Sequence, residues 1–192
     1  MVEKDENGSS TVKLFICSDI HGDSACMRAV IEKFREENAD RLLILGDLLY
    51  HGPRNDLPSD YGPKEVINIL NQNRDVILSV RGNCDTEVDQ MVLNFPILAD
   101  YIILNLDGLT MFATHGHKFN RETPPPLCPG DILLNGHTHL HDASEFGNNN
   151  IYLNPGSVTL PKGGNAKTYM VYENRAFTLK DFSGNIIFQK IL

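Results

Sequence analysis

Short apolar runs alternate with helical periods through the first part of the chain. Residues 12–17 form an apolar run that predicts a strand, and residues 24–38 follow as a helix, with Met27, Val30, Ile31 and Phe34 at i, i+3, i+4 and i+7 and Asp23 or Ser24 as its cap. Residues 41–45 predict a second strand. Pro63 suits the first position of another helix, reaching about Asn73, with Val66, Ile69 and Leu70 on its buried side. Residues 75–80 predict a third strand. This alternation implies parallel pairing through crossover helices.

The pattern then changes. Residues 101–106, 109–114, 131–134, 151–153, 167–173 and 177–181 read as short strands, separated by Asp-Gly, Pro-Gly and Gly-Asn turns, with no helical period among them. Residues 123–130 carry four prolines and read as a rigid loop rather than a linker. The expected fold is α/β, two mixed sheets packed face to face with helices outside, in one domain over residues 12–192. Residues 1–11 are polar and acidic, without the apolar stretch of a secretory signal, and read as a disordered lead-in.

A polar segment directly follows each of five apolar strands: Ser18-Asp19-Ile20-His21, Gly46-Asp47, Arg81-Gly82-Asn83-Cys84-Asp85, His115-Gly116-His117 and Asn135-Gly136-His137-Thr138-His139. Ligands bind outside the carboxyl ends of strands in open α/β sheets, so these segments are expected to converge. Taken singly, Gly46-Asp47 and Gly82-Asn83 are ordinary turn chemistry. That reading leaves the joint pattern unexplained, because six of the seven histidines lie in or just after these segments and none lies in a helix. Asp19 and His21 are two apart, as are His137 and His139, so an extended backbone puts each pair on one side.

Asp, Asn and His donors suit first-row divalent ions rather than a thiolate-rich structural zinc site. Asp47 is placed to bridge two metals. Asp19, His21 and His139 complete one ion, and Asn83, His115 and His137 the other. Two divalent ions and two carboxylates leave about +2 for a hydroxide and an anion to neutralise. Paired metals also activate a bridging water and clamp an in-line phosphoryl displacement, so hydrolysis of a phosphate ester is expected. Asn154-Pro155-Gly156-Ser157 reads as a tight turn from which Ser157 or backbone N–H groups could orient a ligand.

Composition narrows the partners. Of 192 residues, 25 are acidic and 17 basic, a net charge of −8, which argues against nucleic-acid polymers and anionic membranes. No apolar run exceeds four residues, so no transmembrane helix is expected. Cys17, Cys26, Cys84 and Cys128 form no C-x-x-C pair, and a reducing cytoplasm is expected. Cys17 reads as a small buried apolar residue.

The ordered motifs D-x-H, G-D, G-N-x-D, H-G-H and G-H-T-H, spread over residues 13–190, resemble the calcineurin-like metallophosphoesterase superfamily. Together with His51-Gly52-Pro53-Arg54-Asn55 and Asn154-Pro155-Gly156-Ser157, they look closest to the small bacterial YfcE-like phosphodiesterases. The resemblance implies a four-layer α/β/β/α sandwich and activity on a small soluble phosphodiester. It implies two divalent ions, Mn²⁺ foremost, with Fe²⁺, Ni²⁺, Co²⁺ or Zn²⁺ as alternatives. A homo-oligomer, dimer or tetramer, is also implied. It assigns metal ligation to Asp19, His21, Asp47, Asn83, His115, His137 and His139, the set already reached from the residues, and Asn83 also helps place the phosphate.

One departure concerns the chemistry. Many superfamily members carry Gly-Asn-His-Asp or Gly-Asn-His-Glu, whose His acts beside the scissile phosphate; Cys84 stands there in this chain. A thiol is a poorer proton donor than imidazolium near neutral pH. The expectation is a preference for leaving groups that need little protonation, or another acid, for which His51 and His117 are candidates with Asp85 orienting either. Arg54 and Arg81 are the arginines in the active-site loops, Arg54 as a substrate contact and Arg81 alternatively capping its strand end. So few cations lean towards a singly charged diester rather than a monoester dianion. The competing readings are a phosphomonoesterase or nucleotide phosphatase on the same site, and a protein-binding module like the retromer scaffold subunit.

Overall fold

A computed structural model describes residues 12–192, so the lead-in expected over residues 1–11 lies outside the described residues. The chain runs β1 (Leu14–Cys17), α1 (Ser24–Glu36), β2 (Arg41–Ile44), α2 (Pro63–Gln72), β3 (Ile77–Ser79), α3 (Glu87–Val92), β4 (Ile102–Leu106), β5 (Leu109–Ala113), β6 (Ile132–Leu134), β7 (His141–Phe146), β8 (Asn150–Pro155), β9 (Thr168–Glu173), β10 (Ala176–Asp181) and β11 (Ile186–Ile191). One sheet has the order β11-β10-β9-β1-β2-β3, the other β4-β5-β6-β8-β7. β1, β2 and β3 pair in parallel, as do β5, β6 and β8, while the outer strands pair antiparallel. The expected pair of mixed sheets is therefore present.

Strand alternation divides the core. Phe15, Leu42 and Ile44 join Met27, Val30 and Phe34 of α1 and Val66 and Leu70 of α2 on one side of the first sheet. Leu14, Ile16, Leu43 and Leu45 face the other way and meet Met111, Ile132, Leu134 and Leu153 of the second sheet. Strands buried on both faces leave no polar side to alternate, which is why they read as continuous apolar runs. The outer face of the second sheet carries Phe112, Leu133 and Tyr152, covered by Phe119 and Leu127 of the proline-rich connection rather than by a helix. Among the described residues, no helix is long and apolar enough to cross a membrane.

Three elements escaped the hydrophobic pattern. α3 is six residues long and buries none of them, so Val88, Met91 and Val92 mark no core face, although its Thr86–Asp89 capping box was readable. β7 and β11 are edge strands with mostly half-buried or exposed residues, and neither shows a clean apolar alternation. β8 also runs through Pro155, so the turn expected at residues 154–157 begins only at Gly156, with φ +77°.

Glu37, at the end of α1, ties that helix to the sheet. Its carboxylate accepts from Tyr169 Oη at 2.9 Å and from Lys180 Nζ at 2.8 Å. Burial alone would raise its pKa, but the bonds from Lys180 and Tyr169 hold it below the ordinary 4.5. A lowered folded pKa means a contribution fully present above the unfolded value and lost as pH falls through the folded one. Wild type should therefore exceed Glu37→Gln in stability by roughly 1 kcal/mol at pH 7. That gap should narrow as pH falls below the ordinary 4.5 and close once it passes the lowered folded value. Melting curves of both proteins from pH 7 to 3 check this.

Candidate metal centre

The parallel strands of both sheets end at a common edge, and backbone bonds carry the ladder into the loops beyond them. Asp19 N–H donates to the Gly46 carbonyl at 3.2 Å, His21 N–H to that of Asp47 at 2.9 Å, and Val158 N–H to that of Ser18 at 3.2 Å. Gly136 N–H reaches the His115 carbonyl at 2.8 Å within the second sheet's loops. The five polar segments do converge.

Their local conformation differs from the extended backbone expected. Asp19, His21, Asp47, His137 and His139 all have left-handed φ, between 50° and 66°. Each such residue costs on the order of 1 kcal/mol and persists only where the surroundings enforce it. The surroundings here are the bonds just described, plus two glycines. A Cβ on Gly82 would overlap the Asp47 backbone and carboxylate, and one on Gly136 would overlap Ser18. Close approach of backbones, rather than turn flexibility, explains these glycines.

Each buried imidazole is oriented by a carbonyl. His21 Nδ1–H donates to Tyr50 O at 2.8 Å, His115 Nδ1–H to Leu45 O at 2.6 Å, and His139 Nδ1–H to Leu160 O at 2.6 Å. That fixes the tautomer and leaves all three Nε2 atoms as acceptors. These acceptors face other acceptors. His21 Nε2 and His139 Nε2 are 3.2 Å apart, and His139 Nε2 is 3.2 Å from Asp19 Oδ1, a buried oxygen without a hydrogen-bond donor. His115 Nε2 lies 3.1 Å from Asn83 Oδ1 and 3.2 Å from His137 Nδ1.

Asp47 stands between the two groups, its Oδ2 3.7 Å from His21 Nε2 and 3.4 Å from His115 Nε2, while its Oδ1 accepts from Cys84 N–H at 2.8 Å. The second oxygen of Asp19 accepts from His137 N–H at 3.0 Å. All seven residues expected as ligands thus share one site.

Lone pairs converging on lone pairs call for positive charge in their midst. Burial would raise the Asp19 carboxyl, yet His139 and His21 hold it well below its usual range. A proton can also supply that charge: the Asp47 and Asp19 carboxylates push His115 up to about 9 against its own burial, so its Nε2 becomes an acceptor only when an ion displaces that proton. Divalent ions with mixed N/O preference fit this donor set, and Asp19, His21 and His139 form one compact group that could hold one, with Asp19, Asp47 and His115 another.

A cavity of about 350 Å³ opens onto His21, Asp47, Asn83, His137 and His139, with Asp19 and His115 behind them, and is also lined by Arg54, Asn55, Cys84, Thr138 and Lys162. Burial and the Asp47 carboxylate push the Cys84 thiol well up, so it stays protonated. Several expected roles change. His51 does not line the cavity; its ring packs edge-on against Tyr50 and Tyr61, with centroids 4.8 and 5.3 Å away. His117 lies outside it too, and burial together with the charge on His115 pushes it down to about 4. Asp85 orients neither histidine. Its carboxylate accepts from the N–H groups of Asp47 (2.9 Å), Leu48 (2.9 Å) and Gly82 (2.7 Å).

Arg81 caps its loop, donating to Asp85 O at 3.2 Å and pairing with Glu87 at 3.3 Å. Ser157 supports the ligand loop instead of a ligand, donating to Asp19 O at 3.0 Å. Lys162 was not anticipated: it follows the last strand-end segment, inside a Pro-Lys-Gly-Gly turn that carries no chemical signature. Its N–H donates to His139 O at 3.0 Å, which brings it to the cavity.

Comparison with known proteins gives the family. The calcineurin-like phosphoesterase superfamily domain matches residues 12–176. The chain is 47% identical to phosphodiesterase YfcE of Escherichia coli (strain K12) over 163 residues, 85% of this chain and 88% of that one. It is 30% identical to phosphodiesterase MJ0936 of Methanocaldococcus jannaschii over 152 residues, 76% and 83% of the two chains. The solved structure of the E. coli phosphoesterase YfcE superposes with a TM-score of 0.90 at 44% identity, covering 93% of this chain and 98% of that one.

Proposed function

The chain belongs to the calcineurin-like phosphoesterase superfamily, and from that premise we propose that residues 12–192 act as one domain hydrolysing a small soluble phosphodiester with two divalent ions. The observation that carries the reading is the set of three imidazoles whose Nδ1–H groups are spent on carbonyls, leaving three Nε2 acceptors against two buried carboxylates. The relatives named above as phosphodiesterases support the diester. Manganese is the proposed metal, the cytoplasm the proposed compartment, and a homo-oligomer the proposed state.

Asp19, His21 and His139 would hold one ion and Asn83, His115 and His137 the other, with Asp47 between them. Bound there, the ions supply an activated water and offset the charge that develops on phosphorus oxygens. Asn83 is exposed at the cavity mouth, where its amide can both ligate and position the phosphate. Arg54 and Lys162 add two rim cations, enough to attract a monoanion but not a dense clamp for a dianion. Removing metal and restoring Mn²⁺ while assaying an aryl diester and its matching monoester tests this. Restored activity favouring the diester is expected; a larger kcat/KM on the monoester would establish a phosphomonoesterase instead.

Protonation of the leaving group follows from Cys84. With His51 and His117 outside the cavity, the thiol is the residue standing in the place of the family's catalytic His, and it holds its proton firmly. The enzyme should favour aryl over alkyl leaving groups. Cys84→His should raise the alkyl-to-aryl rate ratio by about 10²-fold, the low end of general-acid effects. A ratio that stays the same across several diesters would remove Cys84 from the leaving-group step.

A further inference from the structure

Beside the metal cavity lies a second cleft, of about 430 Å³, and Cys84 lines both. α2 and the segment before it form one wall through Tyr61 and Ile67, and α3 the opposite wall through Val88 and Val92, with Tyr50 contributing from the loop after β2. Val88 and Val92 are one helical turn apart and so face the same way. Val88 is 68% exposed, and Tyr50 and Val92 are each 42% exposed. The carboxylate of Asp89, also at this cleft, is already occupied by Thr86 N–H and Oγ1 at 2.7 and 2.8 Å. Aromatic and aliphatic walls left open to water, joined to the phosphate site through one side chain, suit an apolar group carried by the substrate.

Resting on the phosphodiesterase reading above, we propose that this cleft is the subsite for an apolar, preferably aryl, ester group of the substrate. The metal cavity takes the phosphate and the α2–α3 cleft takes one of its organic arms, with Cys84 as the shared wall. The rings of Tyr50 and Tyr61 favour an aromatic occupant through stacked or edge contacts. Substrate choice within this chain then lies in α3, an element with no role in holding the ions.

The test uses two monoanionic phosphonates that the enzyme cannot split at carbon, methyl methylphosphonate and methyl benzylphosphonate, titrated into the Mn²⁺-loaded protein by calorimetry. Wild type should bind the benzyl compound about tenfold more tightly, the scale of one well-placed apolar group. The double variant Val88→Glu/Val92→Glu should bring that ratio to within about twofold. Val88→Ser/Val92→Ser, which adds no charge, guards against misfolding of α3 and should lower the ratio in the same direction. Met91→Glu changes a residue on the same helix that is 83% exposed and outside the cleft, and should leave the ratio as in wild type.

Equal binding of the two phosphonates by wild type, or a benzyl preference that survives both double variants, would overturn the proposal. So would a change in oligomeric state in these variants without a change in the ratio, which would mark the cleft as an interface between copies. If the loaded enzyme hydrolyses no phosphodiester, the functional reading fails, while the benzyl preference still decides the subsite.

Discussion

Asp47→Asn is expected to lower diester hydrolysis on the order of 10³-fold while leaving the metal-free protein folded, though less stable than wild type at neutral pH. Asp47 Oδ2 sits between His21 and His115, so this one substitution removes the shared anionic oxygen from both halves of the centre. The fold should survive the change. Asn keeps an oxygen to accept from Cys84 N–H and relieves the repulsion from Asp19, but it gives up the bond and charge by which His115 holds the Asp47 carboxyl below its usual range. Thermal melts separate the two effects. A ligand that binds only the folded state at 100 times its Kd adds about 2.7 kcal/mol. Wild type should show a gain of that order on adding Mn²⁺, and Asp47→Asn far less. A variant that keeps both the metal-induced gain and the activity would remove Asp47 from the bridging position.

Asp85→Asn should act through structure rather than through proton transfer. Both oxygens of Asp85 are taken by three buried N–H groups, two at the end of β2 and one at Gly82, so the carboxylate joins the loops that carry Asp47 and Asn83. Burial pushes this carboxyl up to about 6, and the N–H groups of Leu48, Gly82 and Asp47 work against that rise by favouring the charged form. An amide offers one oxygen and sets its NH₂ against donors that cannot accept. The expected loss is about 2–3 kcal/mol of stability from the unsatisfied N–H groups. Metal affinity should also fall by about 10–100-fold through the displaced Asp47. Denaturant titration and metal titration check the two parts. Had Asp85 oriented His51 or His117, the variant would change kcat alone and leave both stability and metal binding intact.

The legible parts of this molecule were those with local causes. Met27, Val30, Ile31 and Phe34 repeat at helical spacing because one face of α1 is buried, and the same burial on both faces makes β1 and β2 continuous apolar runs. The seven candidate ligands were legible for another reason. Imidazole and carboxylate chemistry directly after apolar strands has little structural use, so its repetition at five strand ends marks a shared site. α3, β7 and β11 were not legible, because an element that buries little leaves no period to read.

Roles diverged where neighbours distant in sequence decide them. His51 and His117 have the same side chain as the proposed ligands, yet the first packs against Tyr50 and Tyr61 and neither lines the cavity. Asp85 looked like a catalytic partner and serves as a backbone clamp. Lys162 carried no motif and arrives at the cavity through a bond to His139 O. The left-handed backbone at Asp19, His21, Asp47, His137 and His139 was equally hidden, since only tertiary hydrogen bonds and the close approach of Gly82 and Gly136 enforce it.

By itself, then, the sequence determined the fold class and singled out the candidate donors, because periodic burial and side-chain chemistry are properties of the residues themselves. The tertiary structure decided tautomers, which lone pairs face one another, and which cations and apolar walls reach the cavity. Those depend on distances between segments far apart in the chain, such as those of His21 and His139, 118 residues apart, and only the closed fold sets them.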